Sequence, residues 1–199
     1  MISITPKNNI NFTSRYVMDV PISKRAADDK YEPYTAKLVE FDINDEKDDQ
    51  KIDEICKKDE FYSFGFDLYN DLHSNYFGLN EKKYCYALVE NSEKDLANID
   101  KDKILGIYSL YEKPNSDEPL TLAYFMTNAD YKNEYKYENP KFKNVGRGMF
   151  QSIPKMYPNK SIFGFSAWSA MSFWEKMGFE HLSERRLIYK PAGKEITDR

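Results

Sequence analysis

Two cysteines, two histidines and eight glycines in 199 residues leave little room for several kinds of protein. Cys56 and Cys85 lie far apart with no CxxC or CxxxC neighbour, and His73 and His181 lack metal-ligand spacing. They cannot form a zinc site by themselves, no metal is expected, and a reducing, cytoplasmic location is the simplest expectation. No stretch approaches the ~18 apolar residues of a membrane span. Met1 to Arg15 is polar and carries no apolar run of the kind a secretory signal needs. Basic charge is not in excess either: 29 Lys and Arg stand against 33 Asp and Glu, a net charge of -4. That balance argues against a nucleic-acid backbone or an anionic membrane as the main partner, because both need a basic surface. The sequence shows no internal repeat and no low-complexity tract.

What is present is globular. A chain of this length buries roughly 70% of its unfolded surface and can hold its own core without disulfides or a structural metal. Aromatic residues make up 16%, mostly 16 Tyr and 13 Phe. So many tyrosines cannot all be core; several are expected to line a groove or keep a wet hydroxyl.

Residues 1–32 are polar and read as an irregular arm on the surface. Tyr34 to Ile43 alternates as a strand. Asn44 or Asp45 can cap a following helix, in which Ile52, Ile55 and Cys56 form an apolar stripe. A second short helix fits Phe64, Leu68 and Leu72, and Gly78 and Asn80 mark a turn. Three strand-like runs follow, Tyr84–Val89, Ile104–Tyr111 and Leu120–Thr127, with turn-rich links that predict an antiparallel meander. After a charged, tyrosine-rich loop to Lys143 come a glycine-rich turn, a short helix, a strand at 161–165, a helix at 169–176 and a last strand at 185–189. The order β-α-α-β-β-β-α-β-α-β predicts one mixed α/β domain over residues 33–190, with a tail at 191–199.

Lys143-Asn144-Val145-Gly146-Arg147-Gly148-Met149 opens the third helix. Two glycines two apart let a backbone approach a ligand, and the first helical turn offers free N–H groups at a positive dipole end. Such a cradle suits a pyrophosphate, although a G-x-G alone is more often a helix-entry turn. Further on, Ala170-Met171-Ser172-Phe173-Trp174-Glu175-Lys176-Met177-Gly178-Phe179 is a short helix stopped by Gly178.

Together, and in this order with a strand between them, the two segments resemble the GNAT superfamily of CoA-dependent N-acetyltransferases. K-N-V-G-R-G at 143–148 is similar to the family's phosphate loop Q/R-x-x-G-x-G/A, with Lys143 in the basic position. A-M-S-F-W-E-K-M-G-F at 170–179 is similar to the family's later helix, N-x-x-A-x-x-[LF]-[YW]-E-K-x-G-F. The resemblance implies a mixed, mostly antiparallel central sheet flanked by helices, with a splayed parallel strand pair. It implies acetyl-CoA, or another acyl-CoA, as co-substrate and direct attack by an amine within a ternary complex. Backbone N–H groups of Val145, Gly146, Arg147, Gly148 and Met149 would hold the pyrophosphate. Main-chain atoms of Phe125, Met126 and Thr127 would pair with the pantetheine arm, and Trp174 would stand near the sulfur. The acceptor, a small-molecule amine or a peptide or protein amine, would enter beneath the two early helices.

The chain departs from the pattern in three places. Trp174 replaces a tyrosine whose hydroxyl can protonate the leaving thiolate, and an indole N–H is a very poor acid. Ala167 replaces an asparagine. Leu120 falls where a carboxylate base is often found, which leaves Glu118 as the candidate beside a water relay or no base at all. The loop at 128–142 is long for the family and either folds over the site or is a solvated insertion. Asp42–Glu60 holds nine acidic residues against four lysines, an acidic mouth for cationic amines or an ordinary solvated helix face. A catalytically weak CoA-binding or protein-interaction domain is the alternative to an enzyme.

Overall fold

The computed structural model describes residues 14–57, 62–74, 81–92, 99–113, 117–128 and 140–191, with side chains of 62–64 excepted. The sheet begins with a hairpin of β1 (Arg15–Arg25) and β2 (Tyr31–Phe41). Residues 15–25 are thus not the irregular arm expected from their polarity. Only Val20 and Ile22 of β1 are buried; alternation of period two is there, but charged neighbours dilute it.

Helix α1 (Glu46–Cys56) starts where the sequence places it. The Asp45 carboxylate accepts the N–H groups of Lys47 and Asp48 at 3.0 and 3.1 Å, a side-chain cap for otherwise orphan donors. Ile52, Ile55 and Cys56 are buried as the stripe requires. Asp48 is buried too, and accepts the backbone N–H groups of Ser14 and Asp42 at 2.9 and 2.8 Å. Helix α2 (Tyr62–His73) buries Leu68 and Leu72. The Lys83 ammonium closes its C-terminus by donating to the carbonyls of Asp71 (2.7 Å), Leu72 (3.2 Å) and Ser74. The expected turn at Gly78 and Asn80 lies outside the described residues.

Strands β3 (Lys82–Val89), β4 (Ile104–Glu112) and β5 (Leu120–Thr127) form the antiparallel meander. Then come β6 (Phe142–Lys143), α3 (Val145–Met156), β7 (Ile162–Phe165), a 3-10 turn (Trp168–Ala170), α4 (Met171–Lys176), β8 (Phe179–His181) and β9 (Arg186–Tyr189). Among the described residues one nine-stranded sheet results, in the order β6-β1-β2-β3-β4-β5-β7-β9-β8. Every pairing is antiparallel except β5 with β7.

Both faces of the sheet are covered. On one, Val39, Cys85, Ala87 and Ile107 pack with Ile52, Ile55, Leu68 and Leu72 of α1 and α2. On the other, Leu38, Leu88, Leu105 and Leu110 pack with Met149, Phe150 and Ile153 of α3 and with Trp174 of α4. Buried tyrosines on β3 and β4 have hydroxyl partners, as burial of a polar tip demands. Tyr108 meets Ser152 at 3.0 Å, Tyr86 meets Tyr157 at 2.9 Å, and Tyr111 donates to Asp71.

Candidate functional site

Parallel pairing of β5 with β7 covers only Leu120–Ile162, Thr121–Phe163 and Leu122–Gly164. The cause of its ending is visible on the other edge of β5. Leu110 faces Leu122, but Ser109 faces Tyr124, so Ala123 is an extra residue on β5. Such a bulge bends a strand and increases its twist. Beyond it β5 and β7 part, and the gap is a cleft of about 720 Å³, within the ~300–1,000 Å³ usual for small-molecule sites.

The bulge also decides which main-chain groups face the gap. Leu120 donates its N–H to Ser161 on the β7 side at 2.8 Å, whereas Asn128 donates to Leu105 of β4 at 2.9 Å. Alternation back from Asn128 turns the N–H and C=O of Phe125 and Thr127 into the cleft and those of Met126 toward β4. The Met126 carbonyl oxygen lies against Gly106 of β4, as that parity requires. Of the three residues expected to offer main-chain atoms, the geometry therefore selects Phe125 and Thr127.

The cleft ends on the N-terminus of α3. Asn144 precedes the helix in the left-handed region, at φ 64°, and its side chain does not cap the first turn. Asn144, Val145, Gly146 and Arg147 border the cleft. Gly148 and Met149 do not share this role. The Gly148 N–H donates to Asn144 C=O at 2.8 Å, and Met149 is fully buried. A Cβ on Gly148 would lie 2.7 Å from Val20 Cγ1 and 3.1 Å from Ile22 Cγ2. That glycine exists so that α3 can sit on β1, which corrects its assignment to the anion cradle. A Cβ on Gly146 would meet Phe173 Cζ at 3.4 Å and Thr127 Cγ2 at 3.7 Å, on the cleft side.

Electrostatics single the cleft out. Lys143, Arg147, Lys176 and Arg185 line it, and among the described lining residues there is no carboxylate. In a chain of net charge -4 this is a local concentration of positive charge at a helix N-terminus that Asn144 does not cap, the setting for a polyanion. Lys143 rests with its ammonium 3.9 Å from the centre of the Tyr31 ring. Arg185 donates Nε–H to Ser166 C=O at 2.9 Å, which fixes its stem. Arg185 lies outside both sequence segments, and Lys176, although within the segment 170–179, is given no role by that motif.

The other sequence candidates fall as follows. Trp174 borders the cleft but is 8% exposed. Its ring is held edge-on by Phe125, Phe150, Phe173 and Phe179 at 4.8–6.0 Å, so it is chiefly core. Glu118 is not brought to the cleft: it precedes β5 at the end still bonded to β7 and pairs with Lys113 at 2.8 Å. Asp45, Asp48, Asp53 and Glu54 of the acidic segment serve as cap, buried anchor and partners of Lys57 and Lys51. Both thiols are buried. Burial pushes Cys56 up to about 12, with Asp53 adding to it, and raises Cys85 as well, so neither is a ready nucleophile. His73 and His181 contact Asp49 and Glu175 at 2.9 Å, and the described residues hold no cluster able to bind a metal. No described helix is long and apolar enough to cross a membrane. Most of the loop at 128–142 lies outside the described residues.

Solved structures similar to this chain include the N-acetyltransferase YlbP of Bacillus subtilis in complex with coenzyme A. It is 18% identical over 71% of this chain and 90% of that one, with a TM-score of 0.43. The NatC complex bound to Gag peptide and CoA is similar at 16% identity over 77% and 98%, with a TM-score of 0.45. A GNAT-family protein from Desulfovibrio desulfuricans is similar at 11% identity over 72% and 91%, with a TM-score of 0.43. No family model matches the sequence, and neither does any curated protein. The mixed sheet, with a parallel pair opened by a bulge, has the arrangement that the resemblance in the sequence implies.

Proposed function

We propose that the protein is an N-acyltransferase that moves an acetyl group from acetyl-CoA to an amine in a ternary complex. One observation carries this reading. A cleft opened by a strand bulge ends on a helix N-terminus that Asn144 does not cap, with four basic side chains and no carboxylate among its described lining residues.

The residues present fit the ligand. The N–H groups of Val145, Gly146 and Arg147 are the first-turn donors of α3 and would hold the pyrophosphate. Arg147, Lys143, Lys176 and Arg185 would neutralise the remaining phosphate charge. The cleft-facing C=O of Phe125 and the N–H and C=O of Thr127 would pair with the amides of the pantetheine arm, in the manner of a strand added to a sheet edge. The bound thioester supplies an activated acyl carbon. The N–H groups that β5 turns into the cleft beyond the bulge, that of Phe125 first, would polarise its carbonyl. Phe125, Phe173 and Trp174 keep the reacting end dry. Overall a C–N bond forms and the C–S bond breaks. The sulfur leaves with the bonding pair, and the proton that nitrogen loses balances the one the thiolate gains. No carboxylate of the described lining is placed to carry that proton, so water or the acceptor side must.

The same absence, with a buried indole where the family's tyrosine would stand, favours a second reading: a weakly catalytic domain that binds CoA. Free-thiol release from acetyl-CoA over a broad panel of amines tests both. Transfer to at least one amine class is expected. Cofactor binding without transfer to any would leave the second reading.

A further inference from the structure

The start of α3 is gripped from outside the cleft by the β1–β2 hairpin, which lies before the segments that carry the resemblance. Strand β6, which leads into α3, pairs with β1 through Ser23–Lys143 and Lys24–Phe142, and Arg25 donates its N–H to Lys141 C=O at 2.9 Å. The Asn144 side-chain amide donates to Ser23 Oγ at 3.4 Å, which ties the left-handed residue to the same strand. Tyr31, the first residue of β2, reaches across β1 to β6. Its hydroxyl donates to Pro140 C=O at 2.6 Å, and the Lys143 ammonium lies 3.9 Å from its ring centre. Pro140 and Lys143 both line the cleft, whereas Tyr31 stands behind them and does not.

Packing does not account for this tyrosine. Tyr31 is half-buried and belongs to neither core cluster. Electrostatics does account for it. A lysine carries a compact charge on a long, flexible stem, and Lys143 is exposed. Two residues earlier Lys141 pairs with Glu90 at 2.7 Å; Lys143 pairs with no carboxylate of the described residues. A carboxylate would hold the ammonium but cancel its charge toward a phosphate. A ring face holds it through the ring quadrupole and leaves the charge intact. An ammonium has three N–H donors and the ring covers one side, so donors stay free for an anion. Standing outside the cleft, the ring takes no room from a ligand.

We infer that Tyr31 is a positioning residue for the cofactor: its ring holds the Lys143 ammonium at the rim of the cleft, charged and ready for a phosphate. This rests on the acyl-CoA reading and adds to it a residue that the motif at 143–148 does not contain. Ordering the lysine before the ligand arrives removes part of the conformational cost of binding.

The test is a double-mutant cycle read by calorimetric titration of acetyl-CoA. Wild type, Tyr31→Leu, Lys143→Ala and the double variant are compared, with Tyr31→Phe and the melting temperature of each beside them. Tyr31 lies outside the core, so the variants should fold. Tyr31→Leu is expected to weaken acetyl-CoA by about twofold to fivefold. In the Lys143→Ala background the same substitution is expected to change Kd by less than about 1.5-fold, because the group it orders is gone. Tyr31→Phe keeps the ring and should bind closer to wild type than to Tyr31→Leu. A tyrosine with a merely structural role would weaken both backgrounds by the same factor, and that result would overturn the inference. So would unchanged or tighter binding by Tyr31→Leu, or a Tyr31→Phe variant as weak as Tyr31→Leu. In each of these cases the acyl-CoA reading stands. Failure of the wild type to bind acetyl-CoA would overturn both readings together.

Discussion

Replacing Gly146 by aspartate should separate stability from ligand binding, in opposite directions. Gly146 is the second residue of α3, and among the described glycines only Gly178 has a positive φ, so a side chain at 146 meets no backbone strain. Its Cβ would lie 3.4 Å from Phe173 Cζ and 3.7 Å from Thr127 Cγ2, contacts that need at most a small adjustment. Removing a helical glycine for aspartate recovers about 0.3 kcal/mol of propensity. A carboxylate in the first turn adds about 0.3–1 kcal/mol through the macrodipole. The sum, about 0.6–1.3 kcal/mol, corresponds to roughly 1–5 °C in Tm for a chain of this size. For the ligand the sign reverses. A carboxylate about 5 Å from a phosphate charge, at an effective dielectric near 20, costs about 3 kcal/mol, or roughly a hundredfold in Kd. Differential scanning calorimetry and titration of acetyl-CoA into both proteins provide the readouts. A variant that melts several degrees lower would mean that Gly146 is a packing glycine. A variant that binds within threefold of wild type would place the pyrophosphate elsewhere.

Gly148→Val should do the reverse. Its side chain would drive into Val20 and Ile22 of β1 and cost about 2–3 kcal/mol by overpacking, seen as a lower Tm with acetyl-CoA affinity of the folded protein unchanged. Lys176→Ala and Arg185→Ala should each weaken acetyl-CoA by about twofold to fivefold, in the range of exposed ion pairs, and flatten its salt dependence in titrations from low to high NaCl. Asp48→Ala leaves the N–H groups of Ser14 and Asp42 without their acceptor and should cost about 2–3 kcal/mol in urea unfolding. The Cys56 thiol, held at about 12, stays protonated at pH 8 and should react with a disulfide reagent only after denaturant is added. Because the unfolded thiol ionises first, it also lowers stability as pH rises from about 9 toward 12.

The meander was legible because its strands are apolar, and β4 is buried on both faces from Ile104 to Tyr111. The cap at Asp45 and the glycine stop at Gly178, φ +91°, were legible because each depends on one residue's local chemistry. Strand β1 was not. Its buried residues are Val20 and Ile22, and Arg15, Asp19, Lys24 and Arg25 hide their spacing. The error over Gly148 followed from the same source. With β1 hidden, the sequence offers nothing for that glycine to pack against, and it reads with Gly146 as part of the cradle. At the site, the motif carried Gly146 and the turn around it, since backbone geometry there is local. The cation set depends on which strands part, and that turns on the one extra residue, Ala123, at the bulge. Periodicity cannot register a single insertion whose partner lies on another strand.

The central claim is that the cleft between β5 and β7 binds acetyl-CoA through the first turn of α3. Calorimetric titration of acetyl-CoA into the wild-type protein at several NaCl concentrations tests it most directly. One site with a micromolar dissociation constant that weakens steadily as salt rises is the predicted result. No binding heat at millimolar ligand would contradict the claim, and so would binding indifferent to salt.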